Sequence, residues 1–262
     1  MDHIASSYQS MQPQDSWARP AFPMRLSNDD VHVWRFWLKE PDQRVHELVE
    51  ILSEEERIRA ASLYSVEHRK RFVIGRGMLR TVLGSYLKTK PSQLELYYDS
   101  NGKPHLREDV TDKHALQFSL AHSHDLALCA VTLNRSLGID LECVHDIPNI
   151  ERAVNTFFSK QEADMIRMLP KSQKLKAFYD AWTRKEAYVK AIGARSCELF
   201  NITDTGLTSE KIDRSLWSIV PIEPALNYDA TLVAEGHNFD LRYFNFGLSE
   251  KLIDISQMPK LT

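Results

Sequence analysis

The spacing of apolar residues marks out the elements of this chain. VHVWRFWL, residues 31–38, sets Val31, Val33, Arg35 and Trp37 against His32, Trp34, Phe36 and Leu38, the period-two alternation of a β-strand. Residues 53–87 change to helical spacing and predict two helices. Ser53 followed by Glu56 is a capping box for the first. In the second, Phe72, Met78, Leu79, Val82, Leu83 and Tyr86 form the buried stripe, with Arg69, Lys70, Arg71, Arg76 and Arg80 elsewhere on the surface. LELYYD (94–99) reads as a strand, and SNGKPHL (100–106) as a turn with Asn-Gly at its tip.

Residues 115–134 predict strand, short loop, strand, and RSLGIDLE (135–142) returns as the hairpin partner. A helical stretch follows from Ile150, with Ser159 and Glu162 as a second capping box. The most strongly helical segment, residues 172–193, is closed by Gly193. LWSIVPIE, ATLVAEG and FDLRYFNF then supply strands. The order implies an α+β or mixed α/β fold in two similar halves. We expect a leader over 1–28, an N-terminal half over 29–132 and a C-terminal half over 133–262.

Composition narrows the class. With 262 residues, 43% hydrophobic and 26% charged, the chain has ample material for a core. A net charge of −3 argues against a general nucleic-acid binder. Cys129, Cys143 and Cys197 show no metal-site or disulfide spacing, which fits a reducing cytoplasm. No apolar run reaches the roughly 20 residues that span a bilayer. The polar start, MDHIASSYQSMQPQDSWARP, lacks the layout of a secretory signal and reads as a flexible or loosely draped leader, with packing by Trp17 and Phe22 an equal alternative.

The candidate chemistry lies in SLGIDLEC, residues 136–143. On a strand, Gly138, Asp140 and Glu142 share one face while Leu137, Ile139 and Leu141 share the other. Two carboxylates about 7 Å apart repel each other and resist burial. A divalent cation would turn both charges into ligands, and oxygen donors suit Mg²⁺ or Mn²⁺. A solvated face with a partner such as Arg135 would also satisfy the pattern. In AWTRKEAYVKAIG, residues 181–193, Trp182, Glu186 and Lys190 follow at four-residue spacing on one helical face. Glu186 could be a third carboxylate or a general base, and Lys190 a cation for phosphate; an ordinary Glu–Lys helix pair is the alternative.

Together, LGIDLE and AWTRKEAYVKAIG resemble the two signature motifs of the 4′-phosphopantetheinyl transferases, (V/I)G(I/V)D(I/L)E and (F/W)(S/T/C)xKE(A/S)xxK. RKRFVIGRGMLR, the GKP within SNGKPHL, and FSLAHSHDLALCAV match three further features of the larger, surfactin-type class, in order. The likeness runs from about Leu52 to Gly193, and the length is similar to that of the monomeric surfactin-type members. The resemblance implies a pseudo-dimer of two α/β halves with coenzyme A and metal in the cleft between them. It implies transfer of the phosphopantetheine arm of coenzyme A to a serine of an apo carrier protein of a fatty-acid, polyketide or peptide synthetase, releasing 3′,5′-ADP. By position, Asp140, Glu142 and Glu186 would hold Mg²⁺, Glu186 would also be the base, and Lys190 would stabilise the pyrophosphate. Arg59, Arg71, Lys103, Pro104, Ala121 and His122 would line the coenzyme A pocket, with Ser123 beside them. The stretch from Val144 to Leu169 would meet the carrier.

Two departures stand out. Ala121 replaces the Ser of many relatives, removing one hydroxyl contact, and GARSCELF (193–200) replaces their GxGL. His122 and His124 have i, i+2 spacing that a metal pair could use, but no third His or Cys lies close in sequence, so a phosphate role for His122 fits better. A metal-dependent nuclease would need the Lys two residues after the Glu on one strand, whereas Lys190 follows Glu186 by four on a helix. A coenzyme A or nucleotide-binding module without turnover would not need both Glu186 and Lys190.

Overall fold

The computed structural model describes residues 17–22, 24–99, 104–107, 116–194, 213 and 215–247. Strand β2 (Asp30–Trp37) is buried on both faces because both of its alternating sets are largely apolar. Trp34 and Phe36 enter one core cluster, while Val31 and Val33 enter another. Strand β2 belongs to a five-stranded sheet whose order is β1 (Trp17–Ala18), β10 (Asp240–Asn245), β2, β6 (Leu126–Leu133) and β5 (Leu116–Ser123). A second sheet orders β7 (Leu137–Cys143), β9 (Tyr228–Glu235) and β8 (Trp217–Ile222). A small antiparallel hairpin pairs β3 (Leu96–Tyr98) with β4 (Pro104–Leu106); its turn, residues 100–103, lies outside the described residues.

Helices cover the outer faces. Helices α1 (Asp42–Glu50), α2 (Glu54–Ser62) and α3 (Val66–Leu87) close the first sheet through a cluster of Leu48, Ile74, Met78, Leu79 and Val82 against Trp34 and Phe36. The two sheets face each other through Leu126, Leu128 and Ala130 on one side and Leu137, Ile139 and Leu141 on the other. Helices α4 (Ile150–Phe157), α5 (Lys160–Met168) and α6 (Lys171–Ile192) follow β7, and α6 lies on the outer face of the second sheet. The layers thus run helix, sheet, sheet, helix, the expected α+β class. No helix among the described residues is long and apolar enough to cross a membrane.

Both capping boxes form as expected: Ser53 N–H donates to Glu56 Oε2 at 3.1 Å and Ser159 N–H to Glu162 Oε2 at 3.0 Å. Gly193, at φ 68°, ends α6 in the left-handed region.

The structure corrects two expectations and adds two features that the spacing did not mark. Strand β7 is not the hairpin partner of β6; it pairs with β9, with Asp140 opposite Thr231 and Glu142 opposite Asp229. Burial drives the difference, since Leu137, Ile139 and Leu141 cover the inner face of the first sheet instead of extending its edge. Arg76 and Arg80 do not lie on the surface: Arg80 is 1% exposed and Arg76 faces a cavity. Helix α1 was not anticipated. Strand β10, from beyond residue 133, enters the first sheet parallel to β2, and β1 pairs with it, so Trp17 packs on Tyr243 and Phe22 stacks on Trp34. Residues 1–16 of the expected leader lie outside the described residues.

Candidate active site

The site begins with the contact between β7 and α6. A Cβ on Gly138 would fall 2.0 Å from Ala187 O and 2.4 Å from Ala191 N, so glycine is what lets the helix backbone rest on the strand. That approach sets Asp140 under Lys190, whose Nζ donates to Asp140 Oδ1 at 2.7 Å and to Ile139 O at 3.1 Å. Asp140 is buried, and its Oδ2 has no hydrogen-bond partner among the described residues. Burial raises the Asp140 carboxyl above its ordinary range, opposed by Lys190. Glu142 is also raised, first by burial and then by Asp140, and accepts from Ser123 Oγ at 2.9 Å. Trp182 supplies Glu142 with a second side-chain hydrogen bond. Trp182 therefore reaches Glu142 and Lys190 reaches Asp140 from one face of α6, and Glu186, four residues from each, lies on that face between them.

Strand β5 forms the adjoining wall. Ser119 and Ser123 accept from the backbone N–H groups of Ile139 (3.1 Å) and Cys143 (3.0 Å), satisfying the free edge of β7 with hydroxyls instead of a strand ladder. Between them, Ala121 and His122 meet the carboxylates across a cavity of about 610 Å³. Its lining brings together Arg59, Arg71, Pro104, Ala121, His122, Asp140, Glu142 and Lys190, eight of the residues singled out from sequence. Desolvation, then Lys190 and Arg76, hold the His122 imidazole below its usual range, so it is neutral at pH 7. Lys103 lies outside the described residues, as does the 195–200 part of the departing loop.

Glu186 is half-buried on α6 and does not line this cavity. Among the described residues, no three Asp, Glu, His or Cys side chains gather as a metal cluster. The donors present nevertheless fit a hard cation: an orphaned buried carboxylate oxygen on Asp140 and a neighbouring carboxylate, Glu142, whose charge it disfavours. Arg71 donates Nε–H and Nη2–H to Asp125 Oδ1 at 3.1 and 2.7 Å, while Lys39 holds Asp125 Oδ2 at 2.6 Å.

Sequence reasoning missed Asp99, Asp125, the Trp182 contact and Arg76. Arg76 lies over the rings of Phe72 (5.4 Å) and Tyr98 (5.1 Å). Its four-residue spacing from Phe72 was the available signal, because such pairs stack on a helix.

A family model described as the 4′-phosphopantetheinyl transferase superfamily matches residues 136–224. Another, described as the N-terminal part of 4′-phosphopantetheinyl transferase, matches residues 36–134. The chain belongs to the 4′-phosphopantetheinyl transferase superfamily. It is 36% identical over 236 residues to the 4′-phosphopantetheinyl transferase HetI of a Nostoc species, covering 89% of this chain and 99% of that protein. It is 29% identical over 142 residues to the transferase Sfp of Bacillus subtilis, covering 54% of this chain and 60% of Sfp. The AcpT transferase of Escherichia coli K12 is 28% identical over 137 residues, covering 52% of this chain and 65% of AcpT.

Proposed function

We propose that the protein transfers the 4′-phosphopantetheine arm of coenzyme A to a serine of an apo carrier protein of a fatty-acid, polyketide or peptide synthetase, and that it does so as a cytoplasmic monomer. The observation that carries this reading is the Asp140–Lys190 contact with its orphaned carboxylate oxygen, at one end of a cavity whose other wall carries three arginines.

In the proposed reaction the serine Oγ forms a bond to the pantetheine-bearing phosphorus. The bridging P–O bond to the adenosine 5′-phosphate breaks, releasing 3′,5′-ADP, and the serine proton passes to Glu186. Asp140 and Glu142, with Glu186 as a third donor, would hold Mg²⁺. Mg²⁺ supplies Lewis-acid stabilisation of the pyrophosphate charge. Lys190 brings a cation to the leaving phosphate, and His122 would hydrogen-bond a phosphate oxygen from the facing strand. Trp182 and Ser123 orient Glu142. The carrier would dock on α4–α5, where Met165 and Met168 are exposed.

Incubation with coenzyme A, Mg²⁺ and an apo carrier, followed by mass spectrometry, should show the carrier gaining one phosphopantetheine. Asp140→Ala should abolish that gain while leaving the circular dichroism spectrum intact. Near-wild-type turnover by this variant at limiting Mg²⁺ would show that Asp140 does not hold the ion. Absence of transfer to every carrier, together with cleavage of DNA, would overturn the whole reading.

A further inference from the structure

We propose that His124 and His145 form a site for a borderline divalent transition-metal ion, Zn²⁺ or Ni²⁺, on the rim of the candidate active site. The site is separate from the oxygen donors Asp140 and Glu142, and it stands whether or not the transfer reaction proposed above does.

Neither imidazole is used by the transfer chemistry. His124 sits in the β5–β6 turn and His145 in the loop between β7 and α4, and both are exposed. Their rings meet with centroids 5.8 Å apart, tilted by 57°. With Zn–N bonds of about 2.0–2.1 Å, two imidazoles on one tetrahedral ion have ring centroids roughly 5–6 Å apart. The observed spacing is that of a pair able to share an ion, and it is reached between segments that belong to different sheets.

His145 is supported from behind. Its Nδ1 lies 2.9 Å from Cys143 O, and a carbonyl only accepts, so the proton is on Nδ1 and the Nε2 lone pair is left for a metal. Tyr179, buried on α6, holds the same residue: its hydroxyl donates to His145 O at 3.2 Å and lies 3.1 Å from Nδ1. A backbone carbonyl on the second nitrogen is a common support of a metal-binding histidine, because it fixes tautomer and ring plane together. His124 takes φ 50°, the left-handed region where glycine would sit without strain, yet the residue there is one whose ring reaches His145.

The donors choose the ion. Imidazole nitrogen suits Zn²⁺, Ni²⁺ and Cu²⁺, whereas Mg²⁺ prefers oxygen. An anion is the poorer occupant, since the His145 N–H is turned into the protein and Asp146 follows it in the chain. Among the described residues no third His, Cys, Asp or Glu completes a cluster, so water takes the remaining positions and the site stays open to further ligands. A bound ion would tie the turn that follows Ser123 to the loop that follows Cys143, clasping the two sheets beside the carboxylates.

Titration calorimetry of the full chain with Zn²⁺ and with Ni²⁺, in buffer holding excess Mg²⁺ to occupy oxygen donors, tests the site. We expect a binding event whose affinity falls at least about tenfold in His124→Gln and in His145→Gln, since each removes one of the two protein ligands. Tyr179→Phe keeps both ligands and loosens one, so it should weaken the event by less. His68→Gln and His237→Gln, at exposed imidazoles elsewhere, should leave it unchanged. A second measurement needs no variant: Zn²⁺ should protect His124 and His145 of the wild-type chain from diethyl pyrocarbonate, read by peptide mass spectrometry, while His68 stays reactive. The proposal would be overturned by wild-type protein that binds neither ion, by an affinity unchanged in either folded Gln variant, or by an equal loss in His68→Gln. Labelling of both rings that Zn²⁺ does not reduce would overturn it as well.

Discussion

The helix pairs α2–α3 and α5–α6 share one construction. In each, a Ser-x-x-Glu capping box opens a nine-residue helix, and the boxed glutamate turns inward to a cation on the following 22-residue helix. Glu56 meets Arg80 at 2.6 Å, and Glu162 meets Lys185 at 2.7 Å. The pairs differ in burial and reach. Glu56 and Arg80 are both 1% exposed, and Arg80 also donates to the carbonyls of Pro91 and Leu94, tying α2, α3 and the approach to β3 together. Lys185 is 14% exposed, with contacts to Phe157 O and the ring of Phe158.

The long helices also meet their sheets differently. Helix α3 sends Met78, Leu79 and Val82 into apolar contact. Helix α6 sends Lys176 to Asp229, Thr183 to Thr231 and Lys190 to Asp140, a polar seam at seven-residue spacing that ends in the candidate site. One copy of the design serves cohesion, and the other gives up apolar contact to carry charged groups toward substrate.

The largest test of that contrast compares the two glutamates. Glu56→Ala leaves Arg80 charged with no route to water and should cost about 3–5 kcal/mol in urea unfolding. Glu162→Ala leaves Lys185 able to reach solvent and should cost about 1–2 kcal/mol. Equal losses would erase the distinction.

Acid should separate the halves by sign. In the first sheet, Trp34 Nε1 donates to Tyr86 OH at 2.8 Å, and that hydroxyl shares a further hydrogen bond with His32 Nδ1, also at 2.8 Å. His32 Nε2 faces Asp30 Oδ1 at 3.9 Å, with Arg242 on the same carboxylate. Burial, against the pull of Asp30, pushes His32 down to about 4, so the folded state binds fewer protons there than the unfolded chain. Its contribution is complete above pH 6.5 and is lost as pH falls toward 4. Asp140 and Asp229 in the second half are raised by burial, so their protonation relieves a penalty as pH falls. Between pH 7 and 5 the His32 loss should be on the order of 1–2 kcal/mol, and His32→Gln should remove it. A variant with an unaltered pH profile would show that His32 titrates alike in the folded and unfolded chain.

Much of this layout was legible in the chain. Helical spacing, both capping boxes and the two-faced strand at 137–143 were visible because each depends on residues a few positions apart. Strand partners were not. Strand β7 pairs with β9, some 90 residues on, and β2 is apolar on both faces, so its pattern sets no register against β10. Arg80 looked like a surface residue because its partner, Glu56, is 24 positions away and its burial follows only from the tertiary fold. At the site, the carboxylates, Lys190 and His122 could be named from motif chemistry, whereas the roles of Trp182 and Asp125 required the packing of α6 and the β5–β6 turn.

The seam itself can be cut at its middle. Thr183 and Thr231 are buried and share one hydrogen bond at 2.9 Å. Thr183→Val should cost about 1–2 kcal/mol because it strands the Thr231 hydroxyl, while the Thr183→Val, Thr231→Val double variant should regain most of that loss. Its stability would then approach that of the apolar α3 interface, yet its KM for coenzyme A should rise if the seam sets the register of Lys190 over Asp140. An additive double variant would remove the pairing from the account.

The smallest effect concerns the outer faces of the two short helices. Helix α2 exposes Ile58 at 63% and α5 exposes Met168 at 85%, so apolar exposure alone does not tell them apart. If the carrier uses α5 and presents an acidic helix to it, Met168→Glu places an anion in the path of that helix, and KM for the carrier should rise about three- to tenfold, roughly 1 kcal/mol, with kcat held. Ile58→Glu should leave both parameters unchanged and, like Met168→Glu, should not alter stability, since neither side chain is buried. Reversal of the two outcomes would move the docking surface to the first half of the molecule, beside Arg59 and the α2–α3 junction.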